Sequence, residues 1–299
     1  MYRSAVAEPA LPSTGQGAPE AYRPAWRARL SLHFDRASDR TVMVRRAHEG
    51  PLTVQKALYP EGRDICHAVI LHPPGGIAAG DDLGIDIDVG PRAHALLTTP
   101  GATKWYKASA ALAASQRIAI TLQAGARLDW LPQDNIYFDR SHARQAFTLQ
   151  LAPDATAIGW DAALLGRQAC GETWQHACLR TVTRLVQPDG RPLWEERQVL
   201  RSGDAILNAP QGLGGRPAYG TMWAYAPACT PELAQQLAPA LPYGGELSAG
   251  ATALPGGLLL IRAVAAYPEP LRMLFADLWL RLRPLVHGVA ARPLRLWST

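Results

Sequence analysis

A group of carboxylates near residue 80 is the first place in this sequence where residue types and spacing suggest chemistry. Asp81 and Asp82 follow a corner rich in Gly and Pro, and Asp86 and Asp88 come a few residues later. Carboxylate oxygens are ligands for hard and borderline divalent cations. Asp86 and Asp88, however, alternate with apolar residues, which predicts one face of a strand and not a loop that wraps around an ion. We therefore expect a solvated acidic face at these two positions and no calcium loop.

The corner before these carboxylates has the glycine spacing of a phosphate-binding loop. Gly75 and Gly80 stand where the two glycines of such a loop would be. Asp81 and Asp82 then occupy the positions of the Lys and the Ser/Thr that the loop requires, and the next element reads as a strand. Their negative charges would repel a phosphate. We therefore expect no tight nucleotide site in this chain.

Motifs for catalysis or stable metal binding are also weak. The chain has no G-x-S-x-G nucleophile elbow, and a glycosidase would need two converging carboxylates that sequence spacing cannot place. His67 and His72 lie near Cys66. His176 and Cys178 repeat these residue types, but neither group has the paired spacing of a structural zinc site. We predict that the protein is not an enzyme, with a carboxylate-dependent hydrolase or lyase as the alternative.

Short strands separated by turns must position these residues. Turn sequences such as Pro60-Glu61-Gly62 and Pro188-Asp189-Gly190 separate segments in which apolar or β-branched residues recur. The spacing suggests a large all-β assembly, although the pattern does not choose among sandwich, barrel and solenoid. We predict strands at Arg29–Phe34, Thr41–Ala47, Leu52–Leu58, Cys66–Leu71, Leu83–Val89, Ala93–Thr99, Gln116–Leu122, Arg127–Leu131, Ala146–Leu151, Cys178–Val186 and Leu258–Ala265.

Two helices are predicted among the strands. Thr230 is a suitable N-cap for a short helix at Pro231–Leu237, because its hydroxyl can accept a first-turn N–H and Pro is favoured at the first helical position. A longer helix is predicted from about Glu269 to Leu282, where apolar residues recur at helical spacing. Periodicity alone favours a core stripe on this helix over a groove for a partner.

Composition favours a soluble globular protein. The chain has 299 residues, of which 48% are hydrophobic and 18% are charged, and its net charge is +5. Its length and its hydrophobic content allow it to bury a sizeable core. Residues 1–25 read as a flexible tail and residues 26–299 as a single domain.

The longest apolar run, Gly256–Ala266, is too short to cross a bilayer. Four scattered cysteines indicate the reducing cytoplasm, and dispersed Arg residues without a known binding motif indicate no nucleic-acid partner.

Several longer motifs occur in an order that is typical of one family. The chain contains, from about Trp26 to the C-terminus, HPPGGIAAGD, LLTTPGATKWYK, WLPQDNIYFDRS, GRQACGE and PLRLWST. Together they resemble the urease accessory protein D family (UreD, also called UreH). The resemblance implies an all-β dominated fold, a distorted β-helix-like solenoid of many short strands with a few helices, including one at the C-terminus. No tandem sequence repeat is visible, so this architecture comes from the resemblance and not from periodicity.

The same resemblance implies a urease maturation chaperone of the cytoplasm. Proteins of this family bind apo-urease and join the accessory proteins F and G. G is a GTPase, which agrees with the missing phosphate loop here. A water-filled route through the D protein has been proposed to deliver nickel to urease. The resemblance thus implies no tightly bound cofactor, nickel only in transit, and no contact with a membrane.

Candidate residues for a nickel route lie in the family motifs. Asp81, Asp134 and Glu172 are carboxylates suited to transient nickel binding, and Thr98 and Thr99 are candidate polar positions. For Asp81 a turn-capping role is an equally good interpretation, and for the threonines capping of a strand or turn is favoured. The family usually has Glu where this chain has Asp134, so the carboxylate here is shorter by one methylene.

Partner contacts are expected at two places. Lys104 and Tyr106 fall on one face of a strand and Trp105 on the other, so a basic and aromatic surface can accompany a buried Trp. Near the C-terminus, Arg295 and Trp297 follow the long helix, and such a combination suits an interface anchor. We expect the C-terminal helix and tail, residues 269–299, to help dock accessory protein F.

Overall fold

Strands are the main secondary structure of the described chain, residues 25–298 of the computed structural model. The predicted tail, residues 1–25, lies outside the described residues except for Ala25. Within residues 25–298 there are eighteen strands and two α-helices. They are β1 (Arg27–Ala37), β2 (Arg40–Glu49), β3 (Thr53–Val54), β4 (Ile65–Leu71), β5 (Gly76–Ile77), β6 (Asp82–Val89), β7 (His94–Thr98), β8 (Thr103–Trp105), β9 (Ala114–Leu122), β10 (Arg127–Leu131), β11 (Asn135–Tyr137), β12 (His142–Leu151), β13 (Thr156–Leu165), β14 (Cys178–Val186), β15 (Pro192–Arg201), β16 (Ala218–Tyr225), α1 (Pro231–Leu237), β17 (Leu247–Leu254), β18 (Leu258–Ala265) and α2 (Pro268–His287).

The chain coils back and forth between two sheets. In a seven-stranded sheet, β1, β6, β9, β12 and β14 lie in parallel, and β2 and β15 close the edges with antiparallel pairs. In an eleven-stranded sheet, β4, β7, β10 and β13 lie in parallel, and β16, β18 and β17 continue it as antiparallel strands. Each turn of the coil thus adds one strand to each sheet. The predicted strand-dominated, distorted β-helix-like solenoid with a C-terminal helix is confirmed.

Three short strands form a third side of the coil. β8 pairs in parallel with β5 on one side and with β11 on the other, and β11 also pairs with β13. Gly76 is required in β5, because a Cβ atom there would lie 2.5 Å from the Tyr106 ring and 2.7 Å from the Lys104 carbonyl oxygen. This side of the coil therefore stacks three of the sequence motifs, the segments that contain β5, β8 and β11, directly beside one another.

The main hydrophobic core lies between the two sheets. In β1, the alternate residues Leu30, Leu32 and Phe34 face this core and are at most 1% exposed. Burial of each such side chain contributes roughly 1.5–3 kcal/mol. A second core lies between the eleven-stranded sheet and α2, where Leu271 and Phe275 of the helix are buried. The solenoid is therefore covered by the helix on the face of this sheet that points away from the main core.

The ends and the packing of α2 follow from local sequence. Pro268 occupies the first turn, and Gly288, at φ 69°, ends the helix with its N–H bonded to the Pro284 carbonyl oxygen at 3.0 Å. The helix approaches β16 closely because Gly220 has no side chain: a Cβ atom there would lie 2.8 Å from the Phe275 ring. Among residues 25–298, no helix combines the length and the apolar character of a membrane span.

Much of the predicted element pattern is confirmed. The strands predicted at Arg127–Leu131, Cys178–Val186 and Leu258–Ala265 form with those bounds. The short helix forms at Pro231–Leu237, where the Thr230 hydroxyl accepts a hydrogen bond from a first-turn N–H as expected. These segments carry strong local signals of alternation or capping, and the tertiary structure agrees with them.

The element prediction is wrong in several places, for different reasons. The list of predicted strands omits seven strands: the short strands β5, β8 and β11 and the longer strands β13, β15, β16 and β17. β13 is buried along nearly its whole length, so it reads as an apolar run without alternation. The strand predicted at Leu52–Leu58 shrinks to Thr53–Val54. The long helix, predicted from Glu269 to Leu282, runs from Pro268 to His287. It includes Pro284, which has no N–H to donate to the carbonyl four residues earlier, and it ends at Gly288 in the left-handed conformation.

Candidate functional site

A cavity between the two sheets is the main candidate site. Its volume is about 220 Å³, which is enough for several water molecules at roughly 10–15 Å³ each. One wall comes from β6, β9, β12, β14 and β15, five consecutive strands of the seven-stranded sheet. At roughly 4.8 Å between neighbouring strands, the cavity extends about 19 Å across that sheet. Its lining is mostly apolar, with a few polar side chains at defined places.

Asp161 of β13 places a carboxylate in the wall of this cavity. Its Oδ1 accepts a hydrogen bond of 2.8 Å from Asn135 Nδ2, and the amide of Gln145 is a second hydrogen-bond partner. Burial raises the pKa of Asp161 to about 6, and the two amides limit this rise because they stabilise the charged form. The carboxylate is therefore mainly ionised at neutral pH and is readily protonated near pH 6.

Two aromatic side chains orient the amides that hold Asp161. Trp105 Nε1 donates to Asn135 Oδ1 at 3.0 Å. The Tyr137 hydroxyl donates to Gln145 Oε1 at 2.9 Å. Because each amide oxygen accepts one of these bonds, each amide nitrogen is left to donate towards Asp161. The two aromatic rings stack with their centroids 5.4 Å apart and are fully buried. They therefore fix the positions of the two amides that donate to the carboxylate.

The end of the cavity at β15 and β16 carries a second polar group. The Tyr219 hydroxyl donates to Gln198 Oε1 at 2.9 Å, and both residues line the cavity. Glu196 also lines the cavity and forms an ion pair with Arg262, whose side chain is 60% exposed. This end of the cavity therefore lies near the protein surface and carries a carboxylate of its own.

Asp134, one of the predicted route residues, lies beside the cavity wall and faces away from it. Its neighbours Gln133 and Asn135 line the cavity, whereas Asp134 Oδ2 lies 3.6 Å from Arg272 Nη1 of α2. Burial raises the pKa of Asp134 to about 6, although Arg272 opposes this rise. The charge of Asp134 also raises the pKa of Asp161. The charge of Asp134 therefore disfavours ionisation of Asp161 from a position beside the cavity wall.

Asp81 and Glu172 both cap backbone turns. Asp81 Oδ2 accepts the Ala78 N–H at 2.8 Å, which is the turn-capping role considered for this residue, and Oδ1 accepts the N–H of the distant Trp26 at 2.9 Å. Glu172 forms an ion pair with Arg167 at 2.9 Å and accepts two backbone N–H groups. The hydrogen bond from Arg167 lowers the pKa of Glu172. Asp81, Asp134 and Glu172 have different partners, and their part in a nickel route stays a prediction.

Thr98 and Thr99 at the end of β7 make local hydrogen bonds. The buried Thr98 hydroxyl donates to the Leu131 carbonyl oxygen at 2.6 Å. The Thr99 hydroxyl accepts the Gln133 N–H at 2.9 Å and donates to the Gly101 carbonyl oxygen at 3.2 Å. These are the capping interactions that the sequence favours. Thr99 also lines the cavity, so of the two it has the position that a route requires.

The basic and aromatic residues at the end of β8 alternate between buried and exposed sides, as predicted. Trp105 is fully buried, Lys104 is exposed, and Tyr106 is half-buried with its ring centroid 5.2 Å from that of Phe138. Lys104 and Tyr106 thus lie on the side opposite to Trp105. Their contact with a partner protein stays a prediction.

Trp297 packs onto the second core, whereas Arg295 is exposed. The Trp297 ring centroid lies 5.7 Å from that of Trp160 and 5.6 Å from that of Trp279. Arg295 projects from the same short turn into solvent. Docking of accessory protein F on this segment stays a prediction, and Arg295 is the residue of this pair with a side chain available to a partner.

Sequence reasoning missed Asp161 and the residues that orient it. Asp161 lies within the apolar segment Ala157–Leu165, where no motif and no alternation mark it. The signal that could have found it is the residue type itself: a single Asp inside a long apolar run is rarely buried unless it has partners.

A buried ion cluster joins the last turns of α2 to the eleven-stranded sheet. His94, Asp129 and His287 place three atoms of metal-ligand type within 4.8 Å of one another. Asp129 Oδ2 lies 2.8 Å from His94 Nε2. Asp129 Oδ1 accepts from Trp279 Nε1 at 2.7 Å and lies 3.3 Å from Arg283 Nε. The guanidinium would repel a metal ion and already balances the carboxylate, so we interpret the cluster as a structural ion pair that docks the helix.

The chain is similar to known proteins over most of its length. The family model described as UreD urease accessory protein matches residues 27–298. A urease accessory protein UreD of Ralstonia nicotianae is 51% identical over 280 residues, which covers 92% of this chain and 94% of that protein. Proteins of the same name from Cupriavidus necator and Bordetella pertussis are 51% and 42% identical, over 92% of this chain and 95% and 98% of theirs. The similarity spans both sheets and α2, and the chain belongs to the UreD urease accessory protein family.

Proposed function

We propose that this chain is a urease maturation chaperone of the cytoplasm, which binds apo-urease and the accessory proteins F and G and is not itself an enzyme. In this proposal, nickel passes through the cavity between the sheets on its way to the urease active site. Membership of the UreD family supports the role in urease maturation, since the relatives are named as urease accessory proteins. The observation that carries the route is the oriented carboxylate of Asp161 in the cavity wall.

The chemistry of the cavity suits transit of nickel better than its storage. Ni²⁺ accepts imidazole, carboxylate and water ligands. Asp161 offers one anionic oxygen group in a mostly apolar lining, and its amide partners hold it in position. One carboxylate completed by water is an open ligand set, which releases an ion faster than a closed cage does. No resident cofactor is needed for this role.

The other predicted residues have supporting parts in the proposal. Asp134 acts beside the route, because its charge favours the protonated form of Asp161. Asp81 and Glu172 each hold a backbone turn outside the cavity lining, and their part is limited to that support. Lys104 and Tyr106 offer a partner surface on the third side of the coil.

Substitution of Asp161 tests the route directly. Asp161→Asn keeps the size of the side chain and removes the anionic oxygen. The matched control is Asp88→Asn, because Asp88 is exposed on the outer face of β6, outside the cavity. We expect both variants to copurify with apo-urease, F and G at the wild-type level. Urease matured with Asp161→Asn should contain less nickel per active site and have lower activity, while the control should be normal.

The outcomes of this experiment distinguish a role of Asp161 in the nickel route from a role in assembly of the complex. Normal nickel content with Asp161→Asn would overturn the route through the cavity. Loss of copurification in parallel with nickel would mean that Asp161 supports assembly. Failure of the wild-type chain to copurify with any urease protein would overturn the maturation role as a whole.

A further inference from the structure

His72 brings an imidazole without a protein partner to the cavity. It follows β4 and lines the cavity at the end away from Glu196. Both ring nitrogens are buried, and neither has a hydrogen-bond partner in the described part of the chain. Buried side-chain nitrogens nearly always have partners, so a ring with two unpaired nitrogens requires solvent or a ligand inside the cavity to satisfy it.

The protonation state of His72 suits a metal ligand. Burial lowers the pKa of His72, and the nearby charge of Asp81 offsets part of this effect. The ring is therefore neutral at neutral pH and keeps a lone pair, which is the form that binds metal ions. The oxygens of Asp81 accept the N–H groups of Trp26 and Ala78. Asp81 thus contributes negative charge to the surroundings without a hydrogen bond to the ring.

We infer that His72 is a nickel-binding residue at the β4 end of the cavity, where one ring nitrogen holds the ion and water completes its coordination. The inference rests on the proposed function, in which nickel is the ion that passes through. Imidazole is a preferred ligand type for Ni²⁺. An ion that moves along the cavity then meets the nitrogen of His72 and the carboxylate of Asp161 in turn, and neither residue closes the coordination shell.

Nuclear magnetic resonance of the ring nitrogens tests this assignment in the unmodified protein. The full-length chain is labelled with ¹⁵N in its eight histidines and titrated with Ni²⁺ alone. Paramagnetic Ni²⁺ should broaden the ring signals of His72 at lower nickel concentration than those of the other histidines. If water in the cavity is the only partner of the ring, the His72 signals should persist after those of the exposed histidines have broadened. That result would overturn the inference.

A pair of substitutions gives an independent measurement of affinity. His72→Gln breaks no protein hydrogen bond, since the ring makes none in the described chain, so the fold should be retained. The matched control is His48→Gln, on the exposed edge strand β2. In equilibrium dialysis with Ni²⁺, His72→Gln should weaken the affinity of the tightest site by at least about tenfold. Loss of a residue that only supports a metal ligand already lowers metal affinity by about this factor. Equal nickel affinity in the two variants would contradict the assignment.

Maturation assays distinguish failure of this inference from failure of the proposed function. If nickel broadens the His72 signals but urease matured with His72→Gln and with Asp161→Asn has normal nickel content, the site stands and the route is wrong. If Asp161→Asn lowers the nickel content while the His72 signals are unaffected by nickel, the route stands and the assignment of His72 is wrong.

Discussion

At the scale of single residues, the carboxylate in the cavity destabilises the folded protein. Folding raises the pKa of Asp161 from 3.8 to about 6, mainly through burial. A shift of about two pKa units corresponds to about 3 kcal/mol when the group is fully ionised. The raised pKa means that the folded state holds the proton more tightly than the unfolded state, so stability is lost as the pH rises from about 4 to 6. A side chain retained at such a cost in a cavity wall is typical of a functional site.

The pH dependence of this cost can be measured with Asp161→Asn. At pH 7.5 the variant should be more stable than the wild type by up to about 3 kcal/mol, because it buries no charge. At pH 4 the wild-type carboxyl is protonated, and the difference should vanish. Urea denaturation at both pH values provides the measurement, with Asp88→Asn as the control that should show no gain. A variant that is less stable than the wild type at pH 7.5 would show that the hydrogen bonds to Asp161 outweigh its burial.

At the scale of elements, one absent side chain sets how closely α2 approaches the eleven-stranded sheet. A Cβ atom at Gly220 of β16 would lie 2.7 Å from the Asp161 carbonyl oxygen and 2.8 Å from the Phe275 ring. The same strand pairs with β13, which carries Asp161. The helix and the backbone of Asp161 therefore both lie close to Gly220.

Replacement of this glycine should loosen the helix. Gly220→Ala is expected to cost about 1–3 kcal/mol, as overpacking in a core does. Gly250→Ala in β17 is the matched control, because a Cβ atom there meets no other atom within 4 Å, and its effect should stay within about 0.5 kcal/mol. Urea denaturation of both variants gives the comparison. Equal stability of the two variants would show that the contact between β16 and α2 can adjust without cost.

At the scale of the whole molecule, the coil separates the proposed internal route from the predicted partner surfaces. The cavity lies between the sheets, whereas α2 and the C-terminal turn lie on the far side of the eleven-stranded sheet. Substitutions at the C-terminus can therefore affect partner binding without reaching the cavity. Arg295 and Trp297 differ in this respect, since only the Trp side chain packs into the second core.

Separate substitutions of these two residues should have different effects. Arg295→Ala is expected to weaken copurification with accessory protein F and to leave the urea midpoint unchanged, because the side chain is exposed. Trp297→Ala should destabilise the fold by on the order of 2 kcal/mol, since it removes contacts with Trp160 and Trp279. Wild-type recovery of F with Arg295→Ala would argue against the C-terminal turn as its docking site.

Local sequence signals were sufficient for much of the fold. The alternation of β1 and β6 and the cap of α1 at Thr230 act within a few residues, so they can be read without tertiary structure. The missing Lys and Ser/Thr after Gly80 likewise argue against a phosphate loop by residue type alone. Strands of small or fully buried residues, such as β13, could not be predicted, because their identity depends on what covers both faces.

The sequence by itself determined the high strand content, the two helices and the family, and it indicated the solenoid through the family resemblance alone, whereas only the tertiary structure placed the cavity and its carboxylate. Asn135, Gln145 and Asp161 belong to three strands and converge only when successive turns of the coil stack in register. Asp81 and Asp134, which motifs singled out, point to separate partners. Local alternation decides on which face of its own strand a side chain lies. Packing of the whole core decides which strands face one another across the cavity, and no single segment contains that information.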